Sequence, residues 1–197
     1  MTTPCTLLIA GALALAAPAG AQDTQFIRAL EAAQKLRPAQ VSMTARIAPE
    51  NEPGVPMVIH GRAFAADGTT PLANAIVFAY HTDRTGIYDQ RSAGPHSWRL
   101  KGWAQTGSDG RFEFRTIRPG AYPENNQAAH VHFTLFTPDG SRYHAGELEF
   151  EDDKLIPERL RAASRAAGAF GSVRPVRREG TTEHVDIALR VNPAQKF

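Results

Sequence analysis

The stretch Asp109–Pro123, DGRFEFRTIRPGAYP, contains a strand with a turn signal at each end. Its Asp-Gly pair supplies the positive φ angles that tight hairpin turns need. Phe112 and Phe114 then alternate with charged residues, which is the period-two pattern of a strand with one buried face. A Pro-Gly pair marks the second turn, and Tyr122 is held between this turn and the next proline. The stretch therefore predicts a short strand with a tyrosine fixed at its exit.

The same signals recur on both sides of this stretch. Two further Asp-Gly pairs, Asp67-Gly68 and Asp139-Gly140, also lie between apolar-rich runs. Side chains alternate between two faces in three other segments, at residues 76–80, 130–136 and 185–191. Several short strands joined by turns are typical of sandwiches and barrels. We therefore predict an all-β fold, an antiparallel β-sandwich, over residues 57–197.

Two helices are predicted outside the strands. Residues 24–36 place apolar side chains at helical spacing, and a proline-rich linker follows at residues 48–56. We assign residues 22–56 to this helical arm and linker. A later helix is predicted to begin at Pro157, because proline suits the first helical position. The apolar face of the arm could pack on its own sandwich or on a second subunit.

The first residues have the pattern of an export signal. An apolar run, Thr6–Ala17, is too short to span a bilayer as a helix, and Ala19-Gly20-Ala21 offers small residues for cleavage. Residues 1–21 are therefore predicted to be a signal peptide, and the mature chain would be periplasmic or secreted. The single cysteine, Cys5, lies in this segment, so the mature chain would carry no thiol, which suits an oxidising compartment. An uncleaved apolar tail is the alternative, because residues 1–5 contain no lysine or arginine.

The charge balance argues against a nucleic-acid partner. The 197 residues include 22 Lys+Arg and 20 Asp+Glu, which gives a formal charge of +2. No run of basic residues interleaves with aromatic residues, as it does on many nucleic-acid surfaces. Once the apolar signal is removed, no membrane partner is predicted for the mature form.

Two histidines and two tyrosines form the candidate site. His130 and His132 are separated by one residue in a predicted strand, so both imidazoles point to the same face. Tyr122 follows the Pro-Gly turn, and Tyr88 lies in a loop just after another strand. Taken singly, each residue has an ordinary explanation, because strand histidines are often exposed and tyrosines usually pack in cores or turns. From these residues alone, a metal site and ordinary packing both stay open.

At this point the sequence resembles the intradiol ring-cleaving dioxygenases, the family of protocatechuate 3,4-dioxygenases and catechol 1,2-dioxygenases. The resemblance covers roughly half of the chain, and the combination of motifs is far more specific than any one of them. It rests on three segments that occur in the family's order: Gly86–Tyr88, Asp109–Pro123 and Ala129–Phe133. The resemblance implies a β-sandwich core, in agreement with the turn signals.

The resemblance also implies a cofactor and a reaction. Tyr88, Tyr122, His130 and His132 would bind one non-haem Fe(III), for which phenolate is a suitably hard anionic donor. A catechol-type diol would chelate the iron, and O2 would open the ring between the two hydroxyl carbons. Tyr122 would leave the metal and accept one proton of the diol, so it is also a catalytic candidate. Family members are commonly oligomers, which favours a homodimer.

The sequence departs from the family around the predicted substrate. Family members often carry arginine three residues before the first histidine, and here the residue is Gln127, which lacks the fixed charge. Gln127 is nevertheless our candidate for a catalytic and substrate-binding role. Glu124 follows the Tyr-Pro pair, and its charge would disfavour a carboxylated diol. Arg99 could contact an anionic substrate, although a solvated loop is the commoner setting for such a residue. Which diol is the substrate stays open.

Two other functions stay open beside the dioxygenase. A non-catalytic β-sandwich module of the transthyretin-like kind would share the turns and strands, since fold does not fix function. Such a module has no reason to carry the two tyrosines and two histidines together. An iron-binding relative could also have lost turnover because Gln127 replaces arginine. Iron content and colour would separate the first alternative from the dioxygenase, and oxygen uptake would separate the second.

Overall fold

The computed structural model describes residues 19–88, 98–124 and 127–197. Two α-helices occur in these ranges, α1 (Ala19–Gln34) and α2 (Glu158–Ala167). The strands in the same ranges are β1 (Thr44–Arg46), β2 (Pro56–Phe64), β3 (Ile76–His81), β4 (Leu100–Gln105), β5 (Arg111–Ile117), β6 (His130–Phe136), β7 (Arg142–Phe150), β8 (Val173–Arg174), β9 (Val176–Glu179) and β10 (Thr182–Arg190).

The strands form two five-stranded sheets that enclose one core. The first sheet has the order β1-β5-β2-β10-β9, and the second has the order β4-β3-β6-β7-β8. Along β2 every second residue is buried, as expected for a strand with one face on the core. Both sheets contribute to the same cluster of buried apolar side chains, which includes Ile59, Phe114, Val131 and Leu148. The predicted β-sandwich is confirmed.

Pairing within the sheets is mixed, whereas the sequence predicted antiparallel pairing. Strands β2 and β10 run parallel, with Met57 opposite Glu183 at one end and Phe64 opposite Arg190 at the other. Strands β1 and β5, and strands β7 and β8, are also parallel neighbours. Hairpin turns specify only antiparallel neighbours, because a tight turn reverses the chain direction. The parallel pairs join segments that are distant in sequence, and no local turn signals them.

Helix α1 packs on the outer face of the second sheet. It was predicted over residues 24–36 and extends over Ala19–Gln34. Leu30 and Ala33 are buried in a cluster with three aromatic side chains: Phe78, Tyr80 and Trp98. The apolar face of the arm is therefore covered by its own sandwich, and the homodimer stays a prediction.

The predicted signal peptide lies mostly outside the described residues. The description begins at Ala19, within α1, so the predicted cleavage point after Ala21 falls inside this helix. Over the ranges given above, no helix is long and apolar enough to cross a membrane. Cleavage and export stay predictions.

Helix α2 lies beside the end of the second sheet. Pro157 is extended and directly precedes the helix, and Gly168 ends it with a φ of 59°. Ser164 is buried on the inner side of the helix, where its Oγ accepts a hydrogen bond from the backbone N of Val173 at 2.9 Å. This contact fixes the helix next to β8, so that the first turn of the helix borders the site described below.

Candidate metal centre and substrate groove

Strand β6 places the two predicted histidines together. His130 is buried and His132 is half-buried. Their Nε2 atoms are 2.9 Å apart. The strand geometry predicted from the His-Val-His sequence therefore brings both imidazoles to one point at the start of β6.

Two loops bring the predicted tyrosines to the same point. The Tyr88 loop (residues 82–88) follows β3, and the Tyr122 loop (residues 118–124) follows β5. The Tyr88 hydroxyl lies 3.0 Å from Nε2 of His132, and the Tyr122 hydroxyl lies 3.5 Å from the same atom. The two hydroxyls also contact each other directly. The structure therefore brings together all four side chains that the sequence singled out.

Hydrogen bonds hold the Tyr88 loop against the Tyr122 loop. The N–H of Gly120 donates to the carbonyl of Asp83 at 2.8 Å, and the Thr82 hydroxyl donates to the carbonyl of Gly120 at 2.9 Å. Gly86 has a φ of 84°, which favours glycine. A Cβ at Gly86 would also overlap the carbonyl oxygen of Ala121. The loops therefore pack so closely that only glycine fits between them.

Burial acts on the ionisation of the clustered groups. It raises the pKa of the phenols of Tyr88 and Tyr122, because the phenolate form is desolvated. It also lowers the pKa of His130, for which the imidazolium form is disfavoured. Without an added positive charge, the tyrosines and His130 are therefore neutral at pH 7.

Hydrogen bonds at the Nδ1 atoms of His130 and His132 show which ring nitrogen carries a hydrogen. Nδ1 of His130 donates to the carbonyl of Ala128 at 2.7 Å. Nδ1 of His132 faces a carboxylate oxygen of Glu147 at 3.1 Å, and this hydrogen bond lowers the pKa of Glu147. Since a carbonyl and a carboxylate only accept, both Nδ1 atoms carry a hydrogen, which leaves Nε2 of each ring as the atom that could bind a metal. Nε2 of His132 lies beside both tyrosine hydroxyls, and Nε2 of His130 lies 2.9 Å from that nitrogen.

A second histidine pair, His60 and His184, differs from His130 and His132 in how its two rings are oriented. His60 and His184 approach to 3.1 Å between Nε2 and Nδ1, with ring centroids 5.4 Å apart and an interplanar angle of 9°. His130 and His132 have a similar separation of 2.9 Å, but their centroids are 4.5 Å apart and their planes differ by 84°. The first pair points nitrogen to nitrogen, as an N–H···N hydrogen bond requires. In the second pair, the two lone pairs lean towards a common point beside the nitrogens.

Glu147 is a functional candidate that the sequence did not reveal. Its carboxylate could join the histidines in binding a metal, since ligand atoms of His130, His132 and Glu147 lie within 4.8 Å of one another. Glu147 contacts Nδ1 of His132, however, whereas the tyrosines contact Nε2 on the opposite side of the ring. We therefore read it as a residue that orients His132. Its position opposite His132 depends on a register shift in β6 and β7, for which the sequence holds no signal.

Two of the predicted substrate residues border the cluster. The backbone carbonyl of Gln127 accepts from the N–H of Tyr122 at 3.0 Å, and Gln127 lines a groove beside His132. Glu124 is exposed and lines a smaller recess of about 230 Å³, together with Tyr88 and Tyr122. Both residues are therefore near the cluster, and their contact with a substrate stays a prediction.

Arg99 occupies a different setting. Its two terminal nitrogens donate to the two carboxylate oxygens of Glu52 at 2.7 Å each, and this pairing lowers the pKa of Glu52. Arg99 also lies 3.9 Å from Asp83, whose carboxylate accepts from the backbone N of Thr85. Arg99 thus ties the linker to the Tyr88 loop. Its predicted role in substrate binding stays untested.

A groove of about 760 Å³ opens beside the cluster. It begins at Gln127 and His132, and it follows β7 past Glu147 to Glu149 and the first turn of α2. Tyr80 forms part of the wall and stacks on the ring of His132, with centroids 4.6 Å apart. Of the four clustered side chains, His132 lines this groove, whereas Tyr88 and Tyr122 line the smaller recess. The groove therefore reaches the cluster at His132.

Known proteins are similar to this chain in sequence over about 60% of its length. The family model described as Dioxygenase matches residues 30–169. Catechol 1,2-dioxygenase 1 from Acinetobacter lwoffii is 32% identical over 137 residues, covering 60% of this chain and 43% of the relative. The protocatechuate 3,4-dioxygenase beta chain of Burkholderia cepacia is 32% identical over 136 residues, covering 63% and 57%. The chain thus spans about half the length of these curated relatives.

Solved structures agree on the fold. The dioxygenase domain of a carbohydrate-binding fusion protein from Streptomyces sp. SirexAA-E superposes with a TM-score of 0.58 at 22% identity, covering 79% of this chain and 91% of that domain. Catechol 1,2-dioxygenase from Pseudomonas arvilla C-1 superposes with a TM-score of 0.55 at 20% identity, covering 88% and 70%. Since the family match spans most of the described sandwich, the chain belongs to the intradiol ring-cleavage dioxygenase family.

Proposed function

We propose that this chain is an exported non-haem Fe(III) dioxygenase. It cleaves a catechol-type ring with O2 between the two carbons that carry the hydroxyl groups. The observation that carries the proposal is the convergence of two tyrosine hydroxyls and two histidine lone pairs on one point. The relatives named as catechol and protocatechuate dioxygenases support the same reaction class.

The donor set fits ferric iron. Two histidine nitrogens that lie 2.9 Å apart, with lone pairs leaning towards a common point, repel each other unless a cation or a proton lies there. Their Nδ1 hydrogens are already engaged, so a metal ion is the simpler partner. Burial disfavours the tyrosine phenolates, and the charge of a bound metal compensates this cost. Two anionic oxygen donors select a hard trivalent ion over a soft one.

The side chains divide the work of the reaction. Bound ferric iron would act as a Lewis acid on the diol and make its ring reactive towards O2. Tyr122 Oη accepts a proton from one diol hydroxyl. His130 and His132 stay fixed through their Nδ1 hydrogen bonds. Gln127 lines the groove beside His132, where its amide can donate a hydrogen bond to the substrate without supplying charge.

Iron content, colour and oxygen uptake test the proposal together. Protein purified from a periplasmic fraction, where a mature start at Gln22 is expected, should hold about one iron and be burgundy from phenolate-to-iron charge transfer. It should take up O2 with at least one of catechol, protocatechuate and hydroxyquinol. A colourless protein that cannot be reconstituted with iron would favour the transthyretin-like module. An iron-loaded protein without oxygen uptake would favour the relative that has lost turnover.

Replacing the carboxylate behind His132 should weaken iron binding. In Glu147→Gln the amide can still accept a hydrogen bond from His132, but it no longer supplies negative charge. We expect iron affinity to fall roughly 10- to 100-fold, as for other residues that orient a metal-binding histidine. Competition with a chelator of known affinity measures the change.

Glu113→Gln is the matched control for this variant. Glu113 lies 3.6 Å from His60, in the histidine pair that is joined by a hydrogen bond. The Glu113→Gln variant makes the same chemical change beside a histidine that does not belong to the cluster. Its iron affinity should therefore match that of the unmodified protein. Equal affinities in both variants would show that Glu147 does not orient His132 for a metal.

A further inference from the structure

The groove contains a buried acid that the proposed reaction does not use, Glu149, which lies on β7 opposite His130. Glu147 and Glu149 lie on the same face of β7, about 7 Å apart along the strand. Glu149 is only 7% exposed, and one carboxylate oxygen accepts from the Ser172 hydroxyl at 2.6 Å. Among the residues that the structure describes, its other oxygen has no hydrogen-bond donor. Since Glu149 lines the groove, this oxygen is available to a ligand there.

The groove is larger than a single diol ring requires. Its volume of about 760 Å³ lies in the range of sites that hold drug-sized ligands. Glu149 and Ser172 form a polar end, and Leu155 and Arg159 border it from the segment around the start of α2. A ring bound at the tyrosine and histidine cluster would leave this end free for a substituent.

The charged side chains that line the groove determine which ring substituents of a bound diol would be favoured there. Two acids, Glu147 and Glu149, line it, and Glu149 is almost completely shielded from solvent. Arg159 is the opposing charge, but it is exposed, so solvent and salt screen it. A carboxylated side chain would meet an acid in a desolvated position, whereas a hydrogen-bond donor would satisfy the open oxygen of Glu149.

We propose that the Glu149 end of the groove is a second subsite, which binds the side chain of an extended catechol through a hydrogen-bond donor, most strongly an ammonium group. This inference rests on the proposed function, because it takes the diol to be bound at the tyrosine and histidine cluster. It narrows the substrate class to diols whose ring carries a donor-bearing arm.

Matched diols test the subsite. Anaerobic calorimetry on the iron-loaded protein compares catechol, 4-ethylcatechol, 4-(2-aminoethyl)catechol and 4-(carboxymethyl)catechol, so that no ligand is consumed. The aminoethyl compound should bind about tenfold more tightly than the ethyl compound, as for a charge-assisted hydrogen bond. The carboxymethyl compound should bind more weakly than the ethyl compound. Oxygen uptake with the same diols should rank their kcat/KM values in the same order.

Three variants assign the preference to this end of the groove. Glu149→Gln should remove most of the ratio between aminoethyl and ethyl compounds. Leu155→Trp, at a position that is 42% exposed and therefore tolerant, should fill the subsite and weaken both substituted diols relative to catechol. Glu151→Gln removes an exposed acid further along the chain that does not line this groove, so the ratio should not change.

The outcomes separate this inference from the proposed function. Catechol that binds and is cleaved, with no preference for the aminoethyl compound, would overturn the subsite alone. A preference that persists in both Glu149→Gln and Leu155→Trp would also overturn it. A protein that binds none of the diols would overturn the proposed function and the subsite together.

Discussion

A Tyr122→Phe variant is expected to fold and to lose at least about 100-fold in the rate of ring cleavage. Within the described part of the chain, the Tyr122 hydroxyl forms hydrogen bonds only with Tyr88 and His132, so its removal leaves the sandwich core intact. In the proposed reaction this hydroxyl accepts a proton from the diol, and phenylalanine cannot. The variant also lacks one of the two phenolate donors, so the visible absorption of the iron-loaded protein should weaken and shift. Oxygen uptake and absorption spectra measure both effects.

Tyr143→Phe is the control for this experiment. Tyr143 lies on β7, near Lys196 and away from the cluster, and the change again removes one phenol hydroxyl. Cleavage rate and colour should be those of the unmodified protein. Unchanged catalysis in Tyr122→Phe would show that another group accepts the proton, and the role of Tyr122 would then be wrong.

A methyl group at position 86 should disrupt the site although it adds no functional group. In Gly86→Ala the new Cβ would overlap the carbonyl of Ala121, and the backbone conformation itself disfavours any side chain. The two tyrosine loops would have to separate. We expect a loss of about 3 kcal/mol or more in the free energy of unfolding, together with loss of bound iron.

The Gly140→Ala variant separates the cost of a side chain at positive φ from the cost of a steric overlap. Gly140 has the same φ of 84° as Gly86. A Cβ at Gly140 would meet no atom within 4 Å, and this glycine lies in the hairpin turn between β6 and β7. This variant should lose only about 1–2 kcal/mol and keep its iron. Similar stability and iron content in the two variants would mean that the loops can tolerate separation. Thermal unfolding and metal analysis provide both measurements.

The local parts of the fold could be predicted because their causes are local. The Asp109-Gly110 turn and the alternation of Phe112 and Phe114 lie in one short segment, and the structure has a strand there. The pairing of β2 with β10 has no such signal, since Met57 and Glu183 meet only when the chain has folded. The sandwich was therefore predictable, whereas its mixed strand order was not.

The residues of the candidate site were likewise predictable only in part. The tyrosines and histidines stood out because they belong to motifs, and the structure brings all four together. Glu147 and Glu149 did not stand out, because glutamate on a strand is usually solvent-exposed. Only the register of β7 against β6 reveals that one faces His132 and the other faces the groove. The charge of Arg99 suggested contact with an anionic substrate, but in the structure Arg99 pairs with Glu52. Glu52 lies in the linker, and no sequence motif connects it to Arg99.

The parallel pairing of β2 with β10 also constrains the order of folding. β2 lies between β5 and β10 in the first sheet, so one of its edges stays open until β10 arrives. Pairings between distant segments form slowly, because a long loop must close before any contact compensates the lost entropy. A chain that emerges N-terminus first, from a ribosome or from an export channel, would therefore carry an unpaired strand edge until Arg190 has emerged, and such edges promote aggregation. The demand for chaperones should thus be set by the last strand of the sandwich rather than by the residues of the proposed iron site.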